Sequence, residues 1–242
     1  MSEELSPTQE QEMNVFQRII GIFTSPREVF ESIDRKPDWL IPYIITVVLV
    51  IGMQLLVMDI GIKDQLAAME AKGITAEELS TVESQMNSPF KYLGLIMAPI
   101  GVLVVWLILA GIFLLAGNLM LGGTSTYKKI LSMISWSGIL GIISIPLSTF
   151  MILNKGTAKG VGTDLSVLLP GLAPGEPQTL MHLILARFDL FTIWQLILWT
   201  IALSVFYKTT TSKAAMPIVI LWIIYCVLAI ALTNLFSSFF GM

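Results

Sequence analysis

The sequence predicts an all-α, polytopic membrane protein with five transmembrane helices, short N-terminal interfacial helices and an outer helical hairpin. Three observations predict it. Apolar residues make up 55% of the 242 positions and charged residues only 13%, whereas a soluble domain carries roughly 25% charged residues. Apolar runs recur at 39–58, 93–121, 130–153, 190–207 and 216–236, each near the length of about 20 residues that crosses a hydrocarbon core. None of the five runs contains a lysine, arginine, aspartate or glutamate.

The opening segment, 1–12, is polar and acidic and reads as a disordered tail. Residues 13–38 read as amphipathic interfacial helices. Phe16, Ile19, Ile20 and Phe23 recur at helical spacing, with Asn14, Gln17 and Arg18 between them. The run is too short to span. It suits a helix lying in the membrane surface, apolar side down, or one packed on the transmembrane bundle, and both can hold. Ser25-Pro26-Arg27-Glu28 starts a second short helix: Ser25 caps, Pro26 takes the first helical position and Glu28 completes a capping box. Val29, Phe30 and Ile33 form its apolar side, and Arg35-Lys36-Pro37 ends it. Arg18, Arg27, Arg35 and Lys36 either touch anionic headgroups or only fix orientation. Phe16, Arg18, Ile19, Phe23, Pro26, Phe30, Arg35, Lys36 and Trp39 are therefore the candidate docking residues for a partner or the membrane.

In the first span, Pro42 sits in the first turn, where a missing N–H costs nothing, and Gln54 is the one strongly polar interior group. The polar stretch 59–92 holds two helix signals. One runs over 63–72 and is stopped by Gly73; the next starts at Thr75 with Glu78 in capping-box position. Together they predict a helical hairpin outside the bilayer. The second span exceeds the hydrocarbon thickness and must tilt or emerge. The turn 122–129, GGTSTYKK, lacks the glycine spacing of a phosphate loop. In the third span Ser137, Gly141, Ser144 and Ser148 share one face. Such small residues serve close helix packing or line a path for lipid or a small molecule. Pro146 is expected to kink this helix. The loop 154–185 is rich in glycine and proline, carries a short apolar patch at 164–171, and ends in a segment, 180–185, that extends the fourth helix outward. The fourth span is apolar apart from Thr192, Gln195, Thr200 and Ser204, and Pro217 stands in the first turn of the fifth.

Lysine and arginine in the flanking segments number eight on one side and six on the other. The two short loops near Lys128 and Lys208 carry basic residues without acids. The N-terminus is accordingly expected in the cytoplasm and the C-terminus outside. A net charge of −3 gives no reason to expect nucleic acid. His182 is the single histidine and Cys226 the single cysteine, so neither a serine triad near Ser137 nor a cysteine-built metal site is in view. No enzyme, cofactor or metal is expected, and the missing midplane charge argues against an ion-coupled pump.

Phe16-Gln-Arg-Ile-Ile-Gly-Ile-Phe-Thr-Ser-Pro-Arg-Glu-Val-Phe30, followed by Pro37-Asp-Trp39 and Pro42, resembles the opening of Yip1-domain membrane proteins, especially the bacterial branch. Residues 122–129 with Tyr127-Lys128 are similar to that family's middle segment. Asp189-Leu-Phe191-Thr-Ile-Trp194, Ser204 and Lys213-Ala214 resemble its closing segment. The resemblance implies five spans with a cytoplasmic N-terminus in a bacterial plasma or inner membrane. Eukaryotic relatives engage Rab-type GTPases in vesicle traffic, but the Asp-Leu-Tyr-Gly-Pro segment of that branch is missing here. For bacterial relatives, accessory roles beside ABC-type exporters and roles in membrane organisation have been considered. The expectation is a non-enzymatic adaptor or assembly subunit in the bilayer, partnered by another membrane protein, with ABC-type exporter subunits as one candidate, or by itself; the alternative is a passive, scramblase-like conduit.

Overall fold

The computed structural model describes residues 13–171 and 178–240, the side chains of 234 and 236–240 excepted. The expected tail, 1–12, lies outside the described residues. Every regular element described is helical, and an isolated antiparallel bridge joins Asp164 to Asp189.

Two short helices open the chain, α1 (Val15–Thr24) and α2 (Pro26–Arg35). Asn14 and Gln17 form a capping box at the start of α1, while Pro26 opens α2 without a side-chain cap from Ser25. Both helices are built into the bundle. Ile22, Val29, Phe30 and Ile33 have no exposed surface. Arg18, placed by periodicity among the polar residues of α1, instead points inward and is 5% exposed. Phe16 and Ile20 form the outward apolar stripe of the same helix. Burial and interfacial exposure thus occur on two sides of one helix.

Helix α3 (Leu40–Ala71) runs 32 residues without a break, about 48 Å at the usual rise. The expected polar loop after residue 58 is therefore the continuation of the first span, because no proline interrupts 59–72. Gly73, at φ +81, turns the chain into α4 (Ala76–Met86), where Thr75 and Glu78 cap each other. The first arm of the expected hairpin is thus α3 itself. A 3₁₀ turn at Pro89–Tyr92 leads into α5 (Leu93–Met120).

The third apolar run forms two helices, α6 (Tyr127–Ser137) and α7 (Gly141–Lys155), joined by a 3₁₀ turn at Gly138–Leu140. The irregularity lies upstream of Pro146, which stays within α7. Gly138 explains the place: a Cβ there would stand 3.0 Å from the Trp106 ring, against which the backbone is pressed. Helix α6 is the centre of the molecule. All residues from Ile130 to Ser137 are buried, packed by α1, α2, α3, α5 and α9.

Helix α8 (Leu180–Leu185) is a separate short helix, because the chain turns before Asp189 caps α9 (Leu190–Phe206). It is not the outward extension of the fourth span. Helix α9 has 17 residues, about 26 Å. The turn after it holds Lys208 at φ +49, and α10 (Thr211–Phe240) completes the fold. Among the described residues, four helical stretches are long and apolar enough to cross a membrane: Leu40–Ala71, Pro89–Met120, Tyr127–Lys155 and Thr211–Thr233. Helix α9, expected as the fourth of five spans, is shorter than these and lies among them.

A polar knot ties the N-terminal helices to α6. Arg18 Nη1 donates to Asp38 Oδ1 at 2.5 Å and Nη2 to Ser32 Oγ at 2.9 Å. The guanidinium lies 5.6 Å from the Trp136 ring centre. Trp136 Nε1 donates to the Asp38 carbonyl at 2.9 Å and to its carboxylate at 3.0 Å. Lys129 adds a second tie, to Asp34 at 2.5 Å. Elsewhere in the bundle, Tyr207 donates to Asn118 Oδ1 at 2.8 Å and lies where a Cβ on Gly117 would be.

Two outcomes follow from this packing. Asp38→Asn keeps an acceptor for Trp136 but removes the charge facing Arg18. It is expected to cost about 1.5–3 kcal/mol, the worth of a charge-assisted hydrogen bond, read as a lower melting temperature in mild detergent. Phe30→Ala empties a fully buried site against Phe206 and is expected to cost about 3–5 kcal/mol. An unchanged melt would show that α2 does not belong to the core.

Candidate functional site

Among the described residues, a polar-lined cavity of about 360 Å³ lies between α7 and α9. Small residues of the third run form one wall: Ser137, Gly141, Ser144 and Ser148 all line it. The opposite wall comes from α9 and the loop before it, with Thr163, Asp189, Phe191, Thr192 and Gln195. A second hollow of about 270 Å³ lies on the other side of α7, against Gln54 of α3, and shares Ser144, Ile145 and Ser148 with the first.

These polar groups differ in how far they are committed. Ser137 is fully buried and gives its hydrogen bond to the Met133 carbonyl at 2.6 Å. Asp189 is committed as well. Its carboxylate caps α9 by accepting from the backbone N–H groups of Phe191 and Thr192, each at 2.9 Å. It accepts from the Thr163 hydroxyl too. An ionised cap at a helix N-terminus is stabilised by the helix dipole, so its task here is structural. Among the described residues the hydroxyls of Ser144 and Ser148 and the amides of Gln54 and Gln195 have no hydrogen-bond partner. They are the groups free to meet water or a polar ligand, and they sit where helices would otherwise close on one another.

The other residues singled out by sequence fall into separate places. Phe23 of α1 meets Trp194 of α9 edge to face, ring centres 5.6 Å apart. Arg27 donates to Ser204 Oγ at 3.3 Å. The opening and closing segments, distant in sequence, are thus one packed unit. Ile19, Pro26 and Trp39 are partly buried, whereas Arg35, Lys36, Lys128 and Lys213 lie at the surface. Tyr127 donates to the Leu107 carbonyl at 2.7 Å, and Ala214 is fully buried. None of these residues joins the cavity.

Sequence reasoning missed Asp38 and Trp136 as partners of Arg18, and Thr192 with Gln195 as the wall facing the serines. A signal existed for the second pair: two polar residues three apart share a face of an otherwise apolar helix. His182 is engaged on both ring nitrogens, with Thr179 Oγ1 at 2.7 Å and the Pro170 carbonyl at 3.2 Å. The carbonyl can only accept, which places the proton on Nε2. Among the described residues, no group of three or more His, Cys, Asp or Glu side chains is arranged to hold a metal ion.

Comparison with known proteins follows the same outline. The chain is 27% identical over 191 residues to a membrane protein, YknW, of Bacillus subtilis (strain 168), covering 76% of each chain. No solved structure matches it. The Yip1 domain model matches residues 20–233, from α1 through most of α10. The chain therefore belongs to the Yip1 domain family.

Proposed function

We propose that the protein is a non-enzymatic accessory subunit that associates sideways, within the bilayer, with another integral membrane protein or a second copy of itself. One observation carries this reading. Gly52 and Gly61 on α3, and Gly101 and Gly111 on α5, have nothing within 4 Å of the place a Cβ would take. Glycine weakens a helix that gains nothing from it. In a membrane, small residues on an open face let a second helix come close without a hydrophobic drive. Together with α10, also 11% buried over its apolar window, the same helices are the loosely packed ones. Only 11% of the apolar window of α3 and 17% of that of α5 is buried within the protein, against 56% for α6 with α7.

The proposal moves the docking surface away from the N-terminal helices, whose apolar side is core. Phe16 and Ile20 are left as their outward apolar stripe. ABC-type exporter subunits are the partner class that the family resemblance suggests, and a bacterial inner membrane is the corresponding location.

The test is purification from the native membrane in mild detergent, with mass spectrometry of companions. Wild type is expected to bring down one stoichiometric companion, or to run as a defined homo-oligomer. Gly52→Leu and Gly101→Leu fill open space, so both variants are expected to fold and to lose at least about tenfold of that association, an energy of about 1.4 kcal/mol. Association unchanged in both variants would rule out the α3–α5 surface.

A second reading rests on the cavity. Unpartnered polar groups along Gln54, Ser148, Ser144 and Gln195 favour a passive path for lipid headgroups or a small polar molecule. In reconstituted vesicles the double variant Ser144→Leu/Ser148→Leu is expected to slow transbilayer movement of a fluorescent phospholipid to the protein-free rate. If wild type itself moves no lipid, the conduit reading ends there.

A further inference from the structure

Arg187 stands apart from the cations at the other end of the bundle. Lys129, Arg18 and Arg27 each have a carboxylate within reach. Arg187 has none among the described residues. Its Nη1 donates to the neutral hydroxyl of Tyr225 at 3.1 Å, and the guanidinium lies 5.7 Å from that ring's centre. Its Nε is shielded from solvent and has no acceptor. The nearest acid in sequence, Asp189, is already taken up by the cap of α9 and by Thr163.

The surroundings define the depth. About 26 Å of α9 separates this end from Tyr207 and Lys208, so Arg187 lies near the opposite boundary of a core about 30 Å thick. Phe188 meets Trp222 edge to face, ring centres 5.3 Å apart. Trp222 and Tyr225, three residues apart on α10, share a face, and Trp222 Nε1 is likewise buried without a partner. Aromatic residues of this kind belong at the headgroup layer. A cation held there by a tyrosine has donors to spare, and no carboxylate among the described residues faces it.

We propose that Arg187, braced by Tyr225 and flanked by Trp222, binds the phosphate of a phospholipid in the leaflet at the Asp189 end of α9. A phosphodiester offers the two oxygens that a guanidinium engages side by side, and its acyl chains would lie along the apolar face of α10. An anionic headgroup such as phosphatidylglycerol is preferred, because it brings no ammonium to compete with the arginine. The site is separate from the cavity and from the glycine faces of α3 and α5.

Native mass spectrometry of the detergent-purified protein tests it, with phosphatidylglycerol, phosphatidylcholine and inorganic phosphate added in turn. Wild type is expected to retain phosphatidylglycerol over phosphatidylcholine. Arg187→Gln is expected to lower that retention at least about tenfold, the loss of one charge-assisted hydrogen bond, with Arg187→Lys between the two. Tyr225→Phe removes only the bracing hydroxyl, keeps the ring, and is expected to lower retention severalfold even if Arg187→Gln folds poorly. Equal retention in wild type, Arg187→Lys and Tyr225→Phe overturns the proposal. So does displacement of the lipid by inorganic phosphate at equal concentration, which would identify free phosphate as the ligand.

Discussion

Burial of the Arg18 guanidinium is the constraint on which the rest of the arrangement depends. A charge taken out of water needs a partner and enough hydrogen bonds to offset its desolvation. Here the partners come from three elements: Ser32 from α2, Asp38 from the link to α3, and the Trp136 ring from α6. Pairing this one side chain, whose Nη1 and Nη2 are bonded while its Nε is not, fixes the α1–α2 pair and the start of α3 against α6. Lys129 and Asp34 repeat the solution one helical level away. Once α6 is enclosed in this way, its flank is sealed by apolar contacts, Phe30 on Phe206 and Phe23 on Trp194. The long helices α3, α5 and α10 are left to the periphery.

That division explains why some of the molecule was legible in the sequence and some was not. The helical membrane class followed from composition and run length, because the bilayer forces backbone groups to pair within each helix. The small-residue face of Ser137, Gly141, Ser144 and Ser148 followed from helical periodicity alone. Arg18 was misplaced for a physical reason. Periodicity sorts residues by polarity, and a buried ion pair reverses that sorting in a way only the tertiary partners reveal. The length of α3 was misjudged because charge at Asp59 marks an exit from hydrocarbon, not the end of a helix; only Gly73 ends it. The break at Gly138 was assigned to Pro146, since the close approach of Trp106 leaves no trace in local sequence.

The N-terminal helices show how an interfacial pattern and a core pattern coexist. An apolar arc wider than half a helix can bury one edge and expose the other. In α1, Ile22 is enclosed while Phe16 and Ile20 face outward. The segment cannot act as a detachable docking arm, because removing it would expose Trp136 and leave Asp38 without its cation. The partner proposed above would be recognised by surfaces outside this core, the open faces of α3 and α5.

Those faces and the smaller polar hollow share one helix, α3. The smaller hollow lies between α3 and α7, lined by Gln54 on one side and Ser144 and Ser148 on the other. The same two serines line the larger cavity against α9. Helix α9 is held by the Asp189 cap, by Tyr207 and by both N-terminal helices, whereas α3 packs over little of its apolar length. Helix α3 nevertheless packs on α7 along this hollow, and it carries Gly52 and Gly61 on its open face. Under the association proposed above, a helix docked against those glycines would lie on the open surface of α3. The proposed accessory role and the proposed polar path thus meet in one helix, α3, with Ser144 and Ser148 of α7 lining the hollow behind it.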